Sequence, residues 1–321
     1  MAVYTSVSAE ALADFLARYD LGQAVSFKGI AEGVENSNYL LDTDRGQRFI
    51  LTLYEKRVEA GDLPYFLSLL SHLADKNLPV PGPVLDRSGT ALQMLCGRPA
   101  CLIDFAAGVS VTEPTPADTH AAAATLGAMH RAVADFTLVR DNTLGPAGWH
   151  RLAEACGDRI DAIEPGLSAL FARELAAIDA AWPTTLPRST IHADLFADNV
   201  LLLGGKVSGL IDFYFACTDI RAYDIAVMHT AWCFSADGTE FHADRAAALI
   251  AGYRSSHPLD PAEEAALPLL CRGAALRFAL TRAFDWINTP AGALVTRKDP
   301  LAFTRRLAWY RQATPSQVFG T

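Results

Sequence analysis

The sequence lacks the features that mark several large classes of protein. It has no excess of positive charge, since 27 lysines and arginines stand against 36 aspartates and glutamates, for a net charge of −9. Such a balance disfavours nucleic acid as a partner, because phosphate contacts need basic side chains, and it offers a membrane surface nothing to bind. The N-terminal segment has neither a basic region nor an unbroken apolar stretch, so we expect no signal peptide and no membrane anchor.

Cysteine patterns that indicate disulfides or zinc are also missing. The six cysteines are scattered, form no CxxC pair, and have no histidine at zinc-ligand spacing. We therefore expect buried, reduced thiols and, together with the charge and the N-terminus, a cytoplasmic enzyme. The cysteines are Cys96, Cys101, Cys156, Cys217, Cys233 and Cys271.

What the chain does contain is enough apolar material for a large core. Of its 321 residues, 51% are hydrophobic and 20% charged, and both kinds are spread along the whole length. This composition argues against disorder. Because the length exceeds that of a typical single domain, two lobes are expected.

The first hundred residues are typical of a small antiparallel sheet that carries one helix. Short aliphatic and aromatic runs at 38–42 and 48–54 flank a turn-like stretch, which predicts a hairpin, and two further strands are expected at 91–95 and 99–105. Residues 62–76 have apolar side chains at a helical period that prolines then end.

From about residue 115 the hydrophobic period becomes helical. Thr115-Pro116-Ala117-Asp118 resembles a helix start, with a capping hydroxyl and an early carboxylate. The pattern predicts an α+β protein with lobes at 1–104 and 105–321 that meet near Asp104 to Gly108. Further helices are expected at 163–181, 219–231, 243–256, 261–286 and 299–312, and a hairpin at 199–211 around Gly204-Gly205.

The residues best suited to chemistry lie between the helical segments. Asp194 and Asn199 are five residues apart in one predicted loop, and Asp212 ends the strand that folds back beside it. Phosphoryl transfer from ATP needs a carboxylate that accepts the proton of the attacking hydroxyl and hard oxygen ligands for Mg²⁺. We therefore interpret Asp194 as the catalytic base and Asn199 with Asp212 as metal ligands, with ATP and Mg²⁺ as cofactors.

This arrangement resembles the catalytic and metal-binding loops of the protein-kinase-like fold, in the aminoglycoside phosphotransferase and choline kinase branch. Those enzymes carry His-x-Asp-x-x-x-x-Asn followed by Ile-Asp-Phe, as residues 192–199 and 211–213 do here. The resemblance implies a two-lobed fold, with a small antiparallel-sheet N-lobe and a larger, mainly helical C-lobe. It also implies that His192 braces the loop, and Asp224 is expected to do the same.

Two histidines have other possible roles. His130 lies on the apolar stripe of a predicted helix, where a hydrogen-bonded core histidine is favoured over a ligand. The pair His192-x-Asp194 is also compatible with a metallohydrolase, but no second His/Asp cluster of ligand spacing accompanies it.

The N-terminal lobe departs from the kinase pattern. The loop 29–38 precedes a strand and could cover the phosphates, with backbone amides and Ser37 as donors. The next strand has Thr52 where kinases carry the phosphate-binding lysine, and no glutamate partner is evident in the helix that follows. Lys28, Arg48 or Lys56 remains a candidate for the missing cation. The residues predicted to bind the nucleotide are Asn36, Ser37, Asn38 and Thr52.

With threonine at this strand position, the sequence resembles the homoserine kinase group within this fold, which also has threonine there. The resemblance covers nearly the whole chain, with one departure at His229, where asparagine is expected. The resemblance implies ATP-dependent phosphorylation of L-homoserine in threonine biosynthesis. The matching runs include 29–39, 51–55, 63–66, 142–145, 192–200, 211–217, 223–226 and 275–278.

Homoserine is a zwitterion, so its site should offer a cation for the carboxylate. The predicted helix 261–286 provides Arg277 and Arg282 as equal candidates for this cation, and Asp285 is the third residue predicted to bind the substrate. One alternative is a kinase for a choline-, hydroxylysine- or aminoglycoside-type substrate, although the last eighty residues carry too many arginines to suit a polycation. Another is a nucleotide-binding pseudokinase that acts as a regulator, because the phosphate-binding lysine is absent.

Overall fold

The computed structural model describes residues 4–30, 36–55, 59–289 and 297–321. The chain divides into two compact units, Met1–Gly108 with Ser208–Tyr214, and Val109–Val207 with Phe215–Thr321. The first segment ends at Gly108, and the predicted boundary at residue 104 stays a prediction. The prediction did not include the return of residues 208–214 to the first unit, where the amide of Leu210 donates to the carbonyl of Pro79 at 2.7 Å.

The first unit is a six-stranded antiparallel sheet with two helices. The strands pair in the order β1-β2-β3-β6-β4, and β5 also pairs with β6. The predicted hairpin is confirmed as β2 and β3, as are the helix α2 and the strands β5 and β6, whereas α1 and β1 were not predicted. The elements are α1 (Ala9–Leu16), β1 (Ala24–Gly29), β2 (Asn36–Thr43), β3 (Arg48–Tyr54), α2 (Leu63–Asp75), β4 (Pro83–Val84), β5 (Gln93–Leu95) and β6 (Arg98–Asp104).

The core of this unit follows from the alternation of apolar residues along the strands. Leu41, Leu51 and Leu53 point into a cluster that is closed by the apolar face of α1. Aromatic rings form a second group of contacts within this unit. The ring centroid of Tyr214 lies 5.6 Å from that of Tyr54 and 5.8 Å from that of Phe66 of α2, in both cases edge-on. The sheet is thus packed by Leu-rich contacts and by tyrosine rings.

The second unit is mainly helical. Its predicted helix start at Thr115 is confirmed by a capping box with Asp118, and five expected helices are present, although the one predicted from 219 begins at Arg221 because the preceding residues form a strand. Helix α4 was not predicted. The helices are α3 (Pro116–Ala132), α4 (Pro146–Cys156), α5 (Leu167–Asp179), α6 (Arg221–Trp232), α7 (Ala243–Ser256), α8 (Pro261–Asn288), α9 (Leu301–Tyr310) and α10 (Pro315–Val318).

Short strands complete the fold. β7 (Arg188–Ile191) pairs antiparallel with β10 (Cys217–Ile220), so that Ile191 lies opposite Cys217. β8 (Val200–Leu203) pairs with β9 (Lys206–Leu210). Gly204 and Gly205 between them have φ of 58° and 75°, the left-handed values that a tight hairpin turn requires at both positions. These strands place the segment 192–199 between β7 and β8.

Helix α3 packs along α7, and α8 packs against α4, α6 and α9. Among the described residues, no helix is both long and apolar enough to cross a membrane. The mixed architecture, a sheet-rich first unit and a helical second unit, confirms the predicted α+β class.

Candidate active site

The loop that follows β7 holds a strained backbone residue. Ala193 has φ of 62°, in the left-handed region that costs a residue with a Cβ about 1–2 kcal/mol. The strain is compensated at both ends of the residue, because its amide donates to Asp224 Oδ1 at 2.7 Å and its carbonyl accepts from Arg277 Nη1. The loop therefore depends on two side chains from elsewhere in the chain.

Asp224 of α6 is the hub of these contacts. It is fully buried and accepts hydrogen bonds from the amides of His192 and Ala193, each at 2.7 Å. His130 Nε2 of α3 lies 3.1 Å from Asp224 Oδ2, and His130 Nδ1 lies 2.9 Å from the hydroxyl of Tyr253. Burial alone would raise the pKa of Asp224, but the hydrogen bond from His130 and the neighbouring donors outweigh it and lower the pKa.

Asp224 thus contacts the backbone of residues 192 and 193, and the bracing roles of His192 and Asp224 stay a prediction. His192 is buried, and its Nδ1 accepts from the amide of Asp194 at 3.3 Å, so the ring is used inside the loop. The expected core role for His130 agrees with its burial, but its contact with Asp224 was not predicted.

Asp194 follows the strained residue, with 18% of its side chain exposed. Burial raises the pKa of its carboxyl group, and the guanidinium of Arg277, with Nη2 3.9 Å from Asp194 Oδ1, opposes that rise. A carboxylate in this position is accessible, and its basicity is raised above that of a solvated aspartate. These are useful properties for a general base.

Asn199 closes the loop. Its amide nitrogen donates to the carbonyl of Asp194 at 2.8 Å, which leaves Oδ1 with no protein donor among the described residues. Trp232 Nε1 donates to the carbonyl of Leu195 at 2.9 Å, so α6 holds the middle of the loop as well. The orientation of Asn199 fits a hard cation, for which an amide oxygen is a suitable ligand.

Asp212 belongs to the first unit and directly follows β9. It is exposed and has φ of 65°, a conformation that aspartate tolerates better than most residues. Among the described residues, no group of three or more His, Cys, Asp or Glu side chains could hold a metal ion by itself. The assignment of Asn199 and Asp212 as metal ligands stays a prediction.

The predicted nucleotide-binding residues form a hydrogen-bonded group at the start of β2. Thr52 Oγ1 donates to Asn38 Oδ1 at 2.9 Å. The strand position at which kinases carry the phosphate-binding lysine is therefore part of a neutral hydrogen-bonded pair. Ser37 is buried, accepts from the amide of Tyr4 at 2.8 Å and donates to Glu55 Oε1 at 2.7 Å. The side chain of Ser37 is therefore engaged within the first unit, which was not expected of a phosphate donor.

Asn36 is buried as well, and its Oδ1 accepts from the amide of Glu55 at 3.4 Å. Of the candidate cations, Lys28 lies exposed on β1, and Arg48 donates to Asp42 Oδ1 at 2.6 Å. Lys56 and residues 31–35 of the predicted phosphate loop lie outside the described residues. Arg98 was not among the predicted candidate cations, and its Nε lies 3.2 Å from Glu55 Oε2.

The three predicted substrate residues of α8 occupy different environments. Arg277 is buried, with 1% exposure, and contacts Ala193 and Asp194. Arg282 is partly exposed and lines a cleft of about 500 Å³ within the second unit, whereas Asp285 is exposed and does not line that cleft. The structure thus separates two arginines that the sequence could not rank.

His229 does not line the cleft. The ring is fully buried, with Nδ1 hydrogen-bonded to the hydroxyl of Tyr310 and Nε2 2.8 Å from the carbonyl of Val318. Burial lowers the pKa of His229 to about 4, so it is neutral at physiological pH. The departure from asparagine at this position therefore concerns how α9 and α10 attach to α6.

Comparison with known proteins agrees with this geometry. Residues 26–259 match the model of a family described as the phosphotransferase enzyme family. An amicoumacin kinase in complex with AMP-PNP and Ca²⁺ is similar in structure, with a TM-score of 0.69 at 17% identity over 93% of this chain and 90% of that one. A microcompartment-associated aminopropanol kinase gives a TM-score of 0.64 at 19% identity, over 95% and 94%. The chain belongs to the phosphotransferase enzyme family and has the protein-kinase-like fold.

Curated relatives narrow the comparison. The homoserine kinase of Methylobacterium radiotolerans is 55% identical over 320 residues, which cover 100% of this chain and 99% of that protein. The homoserine kinases of Methylorubrum populi and Azorhizobium caulinodans are 53% and 52% identical over the same shares. The resemblance to the homoserine kinase group is thus confirmed over the full length.

The contact between Arg277 and Asp194 leads to a prediction about pH. Arg277→Gln removes the charge that opposes the raised pKa of Asp194, so the acidic limb of the pH profile of kcat/KM should move to higher pH. Arg277→Lys keeps a positive charge and should leave the limb closer to that of the wild type. Steady-state kinetics between pH 5 and 8 measures both, and an acidic limb unchanged in Arg277→Gln would show that Arg277 does not influence the base.

Proposed function

We propose that the chain transfers the γ-phosphoryl group of ATP to the hydroxyl of L-homoserine and releases ADP and O-phospho-L-homoserine. The observation that carries this proposal is the loop in which the partly exposed carboxylate of Asp194 lies beside Asn199, whose side-chain amide donates to the carbonyl of Asp194. The homoserine kinases that match the whole chain at 52–55% identity support the substrate.

In this reaction Asp194 orients the acceptor hydroxyl and takes its proton. A bond forms between the acceptor oxygen and the γ-phosphorus, and the bond from that phosphorus to the β–γ bridging oxygen breaks, so that ADP leaves. The partial burial of Asp194 raises the pKa of the carboxyl group and hence its basicity, and the charge of Arg277 opposes that rise.

Asn199 and Asp212 would hold Mg²⁺ together with the phosphates of ATP. The cation, when bound, would neutralise negative charge on the phosphates of ATP. Asn199 suits this task because its side-chain nitrogen donates to the carbonyl of Asp194, so the side-chain oxygen is the atom left for a cation. The nucleotide itself is expected at the first unit, near Asn38 and Thr52.

The alternatives are less well supported. A kinase for aminoglycoside-type substrates would need an acidic acceptor site, but the cleft beside the loop contains arginines as well as acids. A regulator that only binds nucleotide has no use for a partly exposed carboxylate of raised pKa. A coupled assay of ADP release with homoserine, choline, hydroxylysine and an aminoglycoside separates these functions, and release with homoserine alone is expected.

Asp194→Asn should lower kcat by about 10²- to 10⁴-fold, because the amide cannot accept the proton of the attacking hydroxyl. ATP binding, measured by calorimetry, should change little. The matched control is Asp158→Asn, a conservative change at an exposed aspartate of the same unit, which should retain full activity. Turnover near the wild-type level in Asp194→Asn would remove Asp194 from the role of base.

Asp212→Ala should abolish turnover at Mg²⁺ concentrations that saturate the wild type, because the metal loses its charged protein ligand. Partial recovery at much higher Mg²⁺ is expected. Asp14→Ala, at an exposed position of the same unit, serves as the control. A Mg²⁺ titration of Asp212→Ala that overlays that of the wild type would contradict the assignment.

A further inference from the structure

The cleft beside the loop 192–199 is lined by a pair of arginines, Arg282 and Arg306. It lies within the second unit, and Phe196, Ala197 and Asp198 of the loop form part of its wall. Consecutive Cα atoms are about 3.8 Å apart, so Phe196 Cα is within about 7.6 Å of Asp194 Cα. A small molecule in this cleft is therefore close to the base.

The two arginines stack on one ring. The guanidinium carbon of Arg282 lies 4.4 Å from the centroid of Phe303, and that of Arg306 lies 4.2 Å from the same centroid. Neither arginine has a carboxylate within 4.0 Å among the residues that the structure describes. Burial lowers the pKa of each to about 10, and Arg282 adds to this effect on Arg306 by charge repulsion. Two cations that remain charged at neutral pH thus share a partly desolvated wall.

The two differ in how many donors they have left. Arg306 is 3% exposed and donates to the carbonyls of Thr230, Ser235 and Ala236, so it supports the backbone that leads into the cleft. Arg282 donates to a single carbonyl, that of Asp299 at 3.1 Å. Since a guanidinium has five N–H donors in a fork that matches a carboxylate, Arg282 has donors available for a ligand.

The charge of the whole cleft suits a zwitterion. A lone anion such as phosphate would meet carboxylates across the cleft, and a polycation would meet the arginine wall. An amino acid, with one carboxylate and one ammonium group, fits both signs. With histidine neutral, the three lining arginines, Arg245, Arg282 and Arg306, balance the three lining acids, Glu113, Asp198 and Glu240.

We propose that Arg282 binds the α-carboxylate of the acceptor amino acid in this cleft, while the hydroxyl of that acceptor lies at Asp194. The assignment rests on the proposed function and extends it, because it makes Arg282 the residue that distinguishes an amino acid from an amino alcohol. Arg282 is near enough to Asp194 for the charge of the base to raise its pKa, whereas Arg277 is occupied beneath the loop.

The test compares two acceptors that differ only in the carboxylate. 3-Aminopropan-1-ol is homoserine without its α-carboxylate, so the ratio of kcat/KM for homoserine to that for 3-aminopropan-1-ol measures carboxylate recognition alone. In Arg282→Gln, kcat/KM for homoserine should fall about 10- to 100-fold, the effect of losing a charge-assisted hydrogen bond, and mainly through KM. The value for 3-aminopropan-1-ol should not change, so the ratio falls by the same factor.

Three further variants make the result specific. Arg282→Lys should restore part of the ratio, because it returns the charge without the fork. Arg305→Gln, at an exposed arginine of the same helix as Arg306, should behave as the wild type. Lys298→Gln tests an alternative cation, whose Nζ lies 3.6 Å from Oδ2 of Asp198 at the cleft wall. Melting temperatures of all variants show whether the fold is intact.

The outcomes that overturn the proposal are distinct. If Arg282→Gln lowers kcat/KM equally for both acceptors, the residue supports the loop and does not recognise the carboxylate. If Lys298→Gln and not Arg282→Gln reduces the ratio, or if the wild type uses both acceptors equally well, Arg282 is not the carboxylate ligand. Failure of the proposed function appears differently, as wild-type protein that releases no ADP with homoserine.

Discussion

The second unit depends on one buried carboxylate, that of Asp224. An unpaired charge in such a place would cost several kcal/mol, and here it is compensated by two backbone amides and one imidazole. The same contacts hold Ala193 in a left-handed conformation that it would not adopt alone. Helix α3, helix α6 and the catalytic loop are thus joined at a single group, and none of the three can shift without leaving a buried polar atom unpaired.

The chemistry follows from that constraint. With the backbone of 192–193 fixed, the side chain of Asp194 is presented beside Arg277, and the amide of Asn199 folds back onto the carbonyl of Asp194. The same loop also forms one wall of the cleft that holds Arg282. The predicted base, the predicted metal ligand Asn199 and one wall of the proposed carboxylate site therefore all belong to eight consecutive residues, 192–199.

The candidate site could be predicted from the sequence, because His192, Asp194, Asn199 and Asp212 lie close together in the chain and their order and spacing are visible there. Periodicity also predicted most helices. Side-chain direction could not be predicted, so Arg277 and Arg282, five residues apart on one helix, were indistinguishable until packing placed one beneath the loop and the other in the cleft. The contribution of Arg306 to the cleft and the contact between His130 and Asp224 were not predicted, because each involves residues that lie far apart in the chain. Ser37 lies in a segment whose composition is typical of a phosphate loop. Its burial beside Glu55 depends on the N-terminal segment, where the amide of Tyr4 donates to Ser37.

The central claim is that the carboxylate of Asp224 fixes the backbone of the catalytic loop. Amide hydrogen exchange of the segment 191–199 in Asp224→Asn, compared with the wild type, tests it most directly. The asparagine cannot accept from both amides and from His130 at once, so exchange at residues 192–194 should accelerate while the interior of α3 remains protected. Unchanged protection of 192–194 in a folded variant would contradict the account.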